Sequence, residues 1–259
     1  MKLFKKTLCS MVAASIVPIS LVGCGQESPS AFKTAMQDTT ALYGMRGTDH
    51  SWPGNISENS VFAENKLQKN FYIIFDGSGS MAEASCENDG AKINVAQKAI
   101  RTFFDNLARD VNVGMYIFDS QGRREAVSLG QNDPASLKRA IQTVSTGSGT
   151  PLGEALRKGY SALKSQGIVQ QGYGEYHLVV ITDGQASDSD LMKDMVRQIT
   201  NASPVNVHTL GFCIGKDHAL NIPGVVNYTS ANNAKQLLDG LQNIAAESAD
   251  FDISSFAGV

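Results

Sequence analysis

The sequence is poor in the residues that enzymes and nucleic-acid binders concentrate. It has four histidines, His50, His177, His208 and His218, and no pair of them has the spacing of a zinc-binding helix, so each reads as a structural or surface residue. No phosphate-binding lysine follows the first glycine-rich loop, because Met81-Ala82-Glu83 stands where Gly-Lys-Ser or Gly-Lys-Thr would open a helix. Neither serine of that loop has glycines placed as in a hydrolase nucleophile elbow, Gly-x-Ser-x-Gly. The formal charge is −3 and there is no dense basic run, which makes nucleic acid a poor partner. What is present is an apolar fraction of 42%, enough for one substantial α/β domain with a sizeable core, and disorder throughout is excluded.

The amino terminus has its own layout. Lys2, Lys5 and Lys6 precede an apolar stretch over 8–22, which ends in Leu21-Val22-Gly23-Cys24. This is the pattern of an export signal, too short and too early for a good spanning helix. Its ending resembles the lipobox of bacterial lipoproteins, which implies that Cys24 is acylated as the first residue of the mature chain. The alternative is an ordinary cleaved signal with an incidental cysteine. Gly25 stands where an aspartate would retain an enterobacterial lipoprotein in the inner membrane, so the resemblance implies the outer membrane of the cell envelope, facing the periplasm or the surface.

Removing residues 1–23 takes three of the 22 basic side chains and no acids, leaving 19 against 25, a charge of −6. With Cys9 in the signal and Cys24 under lipid, Cys86 and Cys213 remain, as a single disulfide or as two thiols. Residues 24–68, rich in Ser, Thr, Asn, Gln and Gly, read as a tether on which Trp52-Pro53 and Val61-Phe62 are the docking points. The expected division is 1–23 signal, 24–68 tether, 69–247 domain and 248–259 tail.

The domain turns on Phe71-Tyr72-Ile73-Ile74-Phe75-Asp76-Gly77-Ser78-Gly79-Ser80. Five consecutive apolar residues without alternation suit a strand buried on both faces, and the aspartate is then delivered to the sheet's edge. Gly77 and Gly79 allow a tight turn in which the Asp76 carboxylate and the Ser78 and Ser80 hydroxyls converge. Three oxygens on a short loop suit a hard cation, although Asp-Gly and Ser-Gly are also ordinary turn formers.

Helical spacing of Ile93, Ala96, Ile100, Phe103 and Leu107 predicts a helix over 91–107. Strands are predicted over 111–118, 123–129 (a short edge strand reached by a hairpin), 178–181, 205–212 and 225–228. Further helices are predicted from Asp133-Pro134, after Thr150-Pro151, over 189–199 and over 233–246. Thr150 falls at the N-cap position of its helix. The alternation of strands and helices gives a doubly wound, mostly parallel six-stranded sheet with one antiparallel edge strand and helices on both faces. In the strand order 3-2-1-4-5-6 the first and fourth strands are neighbours, so Asp76 and Asp183 face each other across the switch point, and Thr150 leans in from the side. Asp119 ends the second strand and reads as a turn residue.

Together Asp76-Gly77-Ser78-Gly79-Ser80, Gly149-Thr150-Pro151-Leu152 and Thr182-Asp183-Gly184 resemble the metal-ion-dependent adhesion site of von Willebrand factor type A domains, over about residues 70–247. The resemblance implies that Ser78, Ser80 and Thr150 offer hydroxyls to Mg²⁺, with Mn²⁺ or Ca²⁺ as substitutes, while Asp76 and Asp183 act directly or through water. It implies a binding module and not an enzyme: the ion keeps an open position that a Glu or Asp carboxylate of a protein partner completes, with no small-molecule substrate. Cys86 and Cys213 lie on the metal side of the sheet, where a disulfide between them would brace the rim. Two alternatives are a phosphatase-like hydrolase with Asp76 as nucleophile, although Ser78 stands where a second aspartate is needed, and a metal-independent structural scaffold.

Overall fold

The computed structural model describes residues 52–56, 60–131 and 133–247. Cys24, the expected signal, most of the tether and the tail 248–259 lie outside the described residues.

Six strands, β1 (Lys69–Asp76), β2 (Asn112–Asp119), β3 (Gly122–Gly130), β4 (Glu175–Thr182), β5 (Asn206–Phe212) and β6 (Asn227–Ala231), form one sheet in the order β3-β2-β1-β4-β5-β6. All neighbours are parallel except β2 and β3. The doubly wound architecture expected from the sequence is therefore the one observed. β1 is central and buried from Asn70 to Asp76, as its unbroken apolar run requires. β3 alternates between half-buried and exposed residues, and its Arg123, Arg124 and Glu125 put charge on an edge that would otherwise invite pairing.

Five helices cover the two faces. α1 (Lys92–Asn106), α2 (Pro134–Gln142) and α5 (Ala234–Glu247) pack on one, α3 (Leu152–Val169) and α4 (Ser189–Ala202) on the other. The alternation of β1 splits the core accordingly: Phe71, Ile73 and Phe75 join the α1 side, Tyr72 and Ile74 the α3 side. Of the face of α1 read from spacing, Ile93, Ala96, Ile100 and Phe103 are buried and Leu107, just past the helix end, is half-buried, while Val95, Ala99 and Phe104 join the buried set. α2 starts as its sequence predicts, Asp133 accepting a hydrogen bond from the Ser136 N–H at 2.9 Å with Pro134 behind it.

At the end of the sheet away from Asp76, the interior is polar, and its amide side chains pair with one another. Asn70 Nδ2 donates to Gln170 Oε1 and to the Glu175 carbonyl, both at 2.8 Å, and Asn112 Nδ2 donates to Asn70 Oδ1 at 2.9 Å. His177 and His208 are buried side by side on β4 and β5, His177 Nδ1 lying 3.1 Å from His208 Nε2. Burial, the neighbouring imidazole and Lys69 hold His177 down at about 3, so it is a neutral core residue, in keeping with the structural role expected of it.

Three local expectations are corrected. The last strand begins at Asn227 and not at 225, because the N–H groups of Val225 and Val226 both donate to the Ile222 carbonyl, at 3.1 and 3.0 Å, in a turn that keeps them out of the ladder. Of the two proposed docking points, Trp52-Pro53 packs on the domain, with Trp52 5.1 Å from the Tyr176 ring and 6.0 Å from Tyr160. Val61 and Phe62, 85% and 38% exposed, do not: the backbone there is held by Ala63 N–H to the Val169 carbonyl, and Phe62 lies under the Lys66 ammonium. Thr150, finally, does not cap α3, whose N-cap position is Pro151.

The two helices on the α3 side meet without side-chain clearance at Gly153, where an added methyl would stand 2.5 Å from the Met192 backbone nitrogen. Since backbone cannot rotate away, Gly153→Ala is expected to cost about 1–3 kcal/mol through overpacking, read as a lower urea midpoint with an unchanged slope. A variant as stable as the wild type would show that α3 and α4 can separate freely.

Candidate metal centre

β1 ends with Asp76 fully buried. Its Oδ1 accepts the Ser78 N–H at 2.7 Å, and its Oδ2 accepts the hydroxyl of Thr182, the last residue of neighbouring β4, at 2.6 Å. Both donors are neutral, and among the described residues no ion pair includes Asp76. Burial pushes the carboxyl up to about 6; the hydrogen bonds from Ser78 and Thr182 pull the other way, and the charge of Asp183 adds to the rise.

The loop after Asp76 gathers the other oxygens. Ser78 Oγ lies 3.1 Å from Ser80 Oγ, and Ser80 Oγ donates to Asp183 Oδ1 at 2.8 Å. Thr150 is buried beside them: a methyl placed on Gly184 would be 3.6 Å from Thr150 Oγ1 and 3.8 Å from Ser80 Oγ, so both hydroxyls crowd over that glycine. All five residues expected from the sequence are thus brought to one place, the C-terminal ends of β1 and β4, where their side chains meet at the switch point.

Backbone contacts set the loop. Gly77 N–H donates to the Phe118 carbonyl at 2.8 Å, Gly147 N–H to the Gly77 carbonyl at 2.9 Å and Gly79 N–H to the Ser148 carbonyl at 3.2 Å, which ties the Asp76 loop to the segment carrying Thr150. The approach at Gly77 leaves no room for a side chain, since a methyl there would sit 2.7 Å from Asp119 Cβ.

Several residues that hold the site carried no readable signal. Asp188 supplies the cap that Thr150 does not: its two carboxylate oxygens accept the N–H groups of Gly153 and Glu154, each at 2.9 Å, so α3 is capped from a loop 35 residues away and the Thr150 side chain is spared for the site. Lys92, at the start of α1, is buried and donates to Asp183 Oδ2 at 2.9 Å and Glu83 Oε2 at 3.0 Å. Burial pulls its ammonium down, but the bonds to Asp183 and Glu83 outweigh this and hold it above the usual lysine range. His218 Nδ1 accepts the Leu220 N–H at 2.9 Å, which leaves Nε2 protonated to donate to the Gly184 carbonyl at 2.7 Å, steadying the backbone next to Asp183. Thr182, by contrast, adjoins Asp183 at the end of an apolar strand and could have been proposed from its position.

Asp119 does not join the site. Arg124 grips both its oxygens, at 2.7 and 3.0 Å, and the N–H groups of Gln121 and Ser145 complete its shell. Burial raises this carboxyl, but Arg124 and the two N–H groups dominate and hold it below the usual range. Its role is the turn, as expected. Cys86 and Cys213 are joined in a disulfide that links the loop after the site to the end of β5. Asn233 Nδ2 donates to Glu87 Oε1 at 2.8 Å, tying the same loop to the start of α5.

The donor set suits a small divalent cation. Its oxygens are hard, three of the five residues are neutral hydroxyls, and the buried Asp76 carboxylate has a charge that no described side chain balances. Among the described residues no group of three or more His, Cys, Asp and Glu could hold a metal, so an ion held at this cluster would need the hydroxyls as well.

The family model for the von Willebrand factor type A domain matches residues 70–256. An uncharacterized protein of Bacillus subtilis (strain 168), YwmD, is 24% identical over 207 residues, covering 70% of this chain and 87% of that protein. Among solved structures, a von Willebrand factor type A protein from Catenulispora acidiphila superposes with a TM-score of 0.56 at 18% identity over 70% of this chain, which spans 43% of that protein. The vWF domain of the type V pili tip protein Mfa5 from Porphyromonas gingivalis superposes with a TM-score of 0.55 at 13% identity, covering 70% of this chain and 95% of that one.

The state of Asp76 makes the metal-free protein pH-sensitive. Its carboxyl binds a proton more tightly folded than unfolded, so its contribution to stability is fully present below the ordinary value of 3.8 and is lost as pH rises through about 6. In chelator, Asp76→Asn is therefore expected to match the wild type near pH 4 and to exceed it by about 2–3 kcal/mol at pH 7.5 in urea denaturation. A difference that does not change with pH would show that the carboxylate is not desolvated.

Proposed function

Because the chain belongs to the von Willebrand factor type A domain family, we propose that it is a binding module that captures a protein partner through a divalent cation at the ends of β1 and β4. The observation that carries this reading is the convergence there of three hydroxyls and two carboxylates from three separate segments, one carboxylate buried without a counter-cation. Ser78, Ser80 and Thr150 would hold the ion by their hydroxyls, with Asp76 and Asp183 acting directly or through water. When bound, the ion supplies Lewis acidity and a position open to a Glu or Asp carboxylate of the partner. Mg²⁺ fits the hard oxygen donors best, with Mn²⁺ or Ca²⁺ as substitutes.

The chain's own residues do the preparatory work. Thr182 and the Ser78 N–H fix the two Asp76 oxygens, Asp183 orients the Ser80 hydroxyl, and Asp188 relieves Thr150 of capping. The fold's resemblance to a pilus tip domain supports binding over catalysis. We assign residues 69–247 to this module. The amino terminus supports its placement in the cell envelope, lipid-anchored at Cys24 to the outer membrane, on a tether over 24–68.

Titration calorimetry tests the centre. The purified wild type is expected to bind Mg²⁺ with unit stoichiometry and folded Asp76→Ala to show no binding; a wild type silent to both Mg²⁺ and Mn²⁺ would sink the reading. For the anchor, Cys24→Ser is expected to move the protein from the membrane to the soluble fraction, and unchanged membrane association would exclude acylation at that residue.

A further inference from the structure

Lys92 is out of place by every local rule. It occupies the first position of α1, where the helix presents its electropositive end, and its side chain is 11% exposed. The backbone fixes it there: Lys92 N–H donates to the Glu83 carbonyl at 2.9 Å, and Ala84 bridges to Ala91, closing the loop 83–91 as a hairpin. Its ammonium then reaches Asp183, whose side chain is fully buried, on one side and Glu83, 69% exposed at the rim, on the other. The residue does nothing for the helix, and its aliphatic stem could be matched by methionine. Its charge has one buried recipient, the acid from β4.

We infer that Lys92 is a built-in counter-cation of the metal centre, which neutralises Asp183 so that a bound divalent ion faces one uncompensated carboxylate, Asp76, instead of two. This rests on the metal-binding reading above and goes beyond it by assigning the charge balance to a particular side chain. The count has two consequences. Asp76, Asp183, Lys92 and a divalent ion sum to one positive charge, Glu83 lying at the exposed rim where water screens it, and that charge is what an incoming carboxylate recognises; without Lys92 the other three sum to zero. And because a fixed positive charge near the ion repels it, Lys92 lowers the affinity of the centre for metal while keeping Asp183 paired when no metal is present.

The test is calorimetric titration of Mg²⁺ into the full chain, comparing wild type, Lys92→Met, Lys92→Gln and Lys92→Arg, with folding checked by circular dichroism. Removing the charge is expected to tighten Mg²⁺ binding roughly tenfold or more, whereas the arginine variant stays within about threefold of the wild type. In chelator the neutral variants should melt below the wild type, and the rise in melting temperature on adding Mg²⁺ should be larger for them. A folded Lys92→Met or Lys92→Gln protein that binds Mg²⁺ no more tightly than the wild type overturns the inference and leaves the metal centre standing. If neither the wild type nor any variant binds Mg²⁺ or Mn²⁺, the metal reading fails and takes this inference with it. The two neutral variants differ in shape, so loss of folding in one still leaves the other to decide.

Discussion

The structure depends on one costly arrangement, a carboxylate carried by the central strand into the interior. Asp76 ends a strand that is buried on both faces, so its oxygens cannot reach bulk water, and the two donors they find are neutral. An isolated ionised group in such a place is unfavourable unless something balances it. The rest of the site follows from that condition. The loop must turn at once to bring the Ser78 N–H back, which needs Gly77; β4 must end in a hydroxyl at the same level; and the segment before α3 must close over the top through Gly147 and Ser148.

What surrounds Asp76 divides the electrostatic labour unevenly. Its partner acid, Asp183, has both oxygens occupied, one by a hydroxyl of the site and one by the lysine that opens α1. The nearby Asp119 is closed off by Arg124 and belongs to the hairpin. Of three aspartates near the upper edge of the sheet, two are paired within the protein and one is left in deficit. That asymmetry, more than the number of acids, is what supports the proposed cation site, and it agrees with the proposed binding role, in which an ion's charge would be kept for something outside the chain.

The fold was legible because its signals are local. Unbroken apolar runs in β1 and β4, period-3.6 spacing in α1 and α5, and the weaker alternation in β3 fix element types, and the alternation of strand and helix limits the topology to an order that places Asp76 beside Asp183. The convergence of the five proposed residues is legible for a related reason: strand ends deliver Asp76 and Asp183, the loop after β1 carries Ser78 and Ser80, and Thr150 stands just before a helix. What could not be read is what depends on separation. Lys92 meets Asp183 across 91 residues, and Asp188 caps a helix that begins 36 residues earlier. No spacing encodes these meetings, and a threonine before a proline points locally to Thr150 as the cap of α3. The start of the last strand is hidden for a like reason: Val225 and Val226 have the composition of a strand, and only the three-dimensional turn at Ile222 removes them from it.

The placement of the Trp52-Pro53 docking point bears on mechanics. Trp52 and Pro53 pack against Gly167 and Tyr176, near the end of the sheet where β1 and β4 begin, while the oxygen cluster lies at the end where those strands finish. A load applied between the chain entering β1 and anything held at the cluster would therefore run along the strands and not across them. Loaded in this way, the ladders joining β1 to β2 and β4, seven residue pairs on each side, are sheared together instead of being peeled open one bond at a time. The central strand that carries the buried acid is then also the line of greatest resistance to pulling.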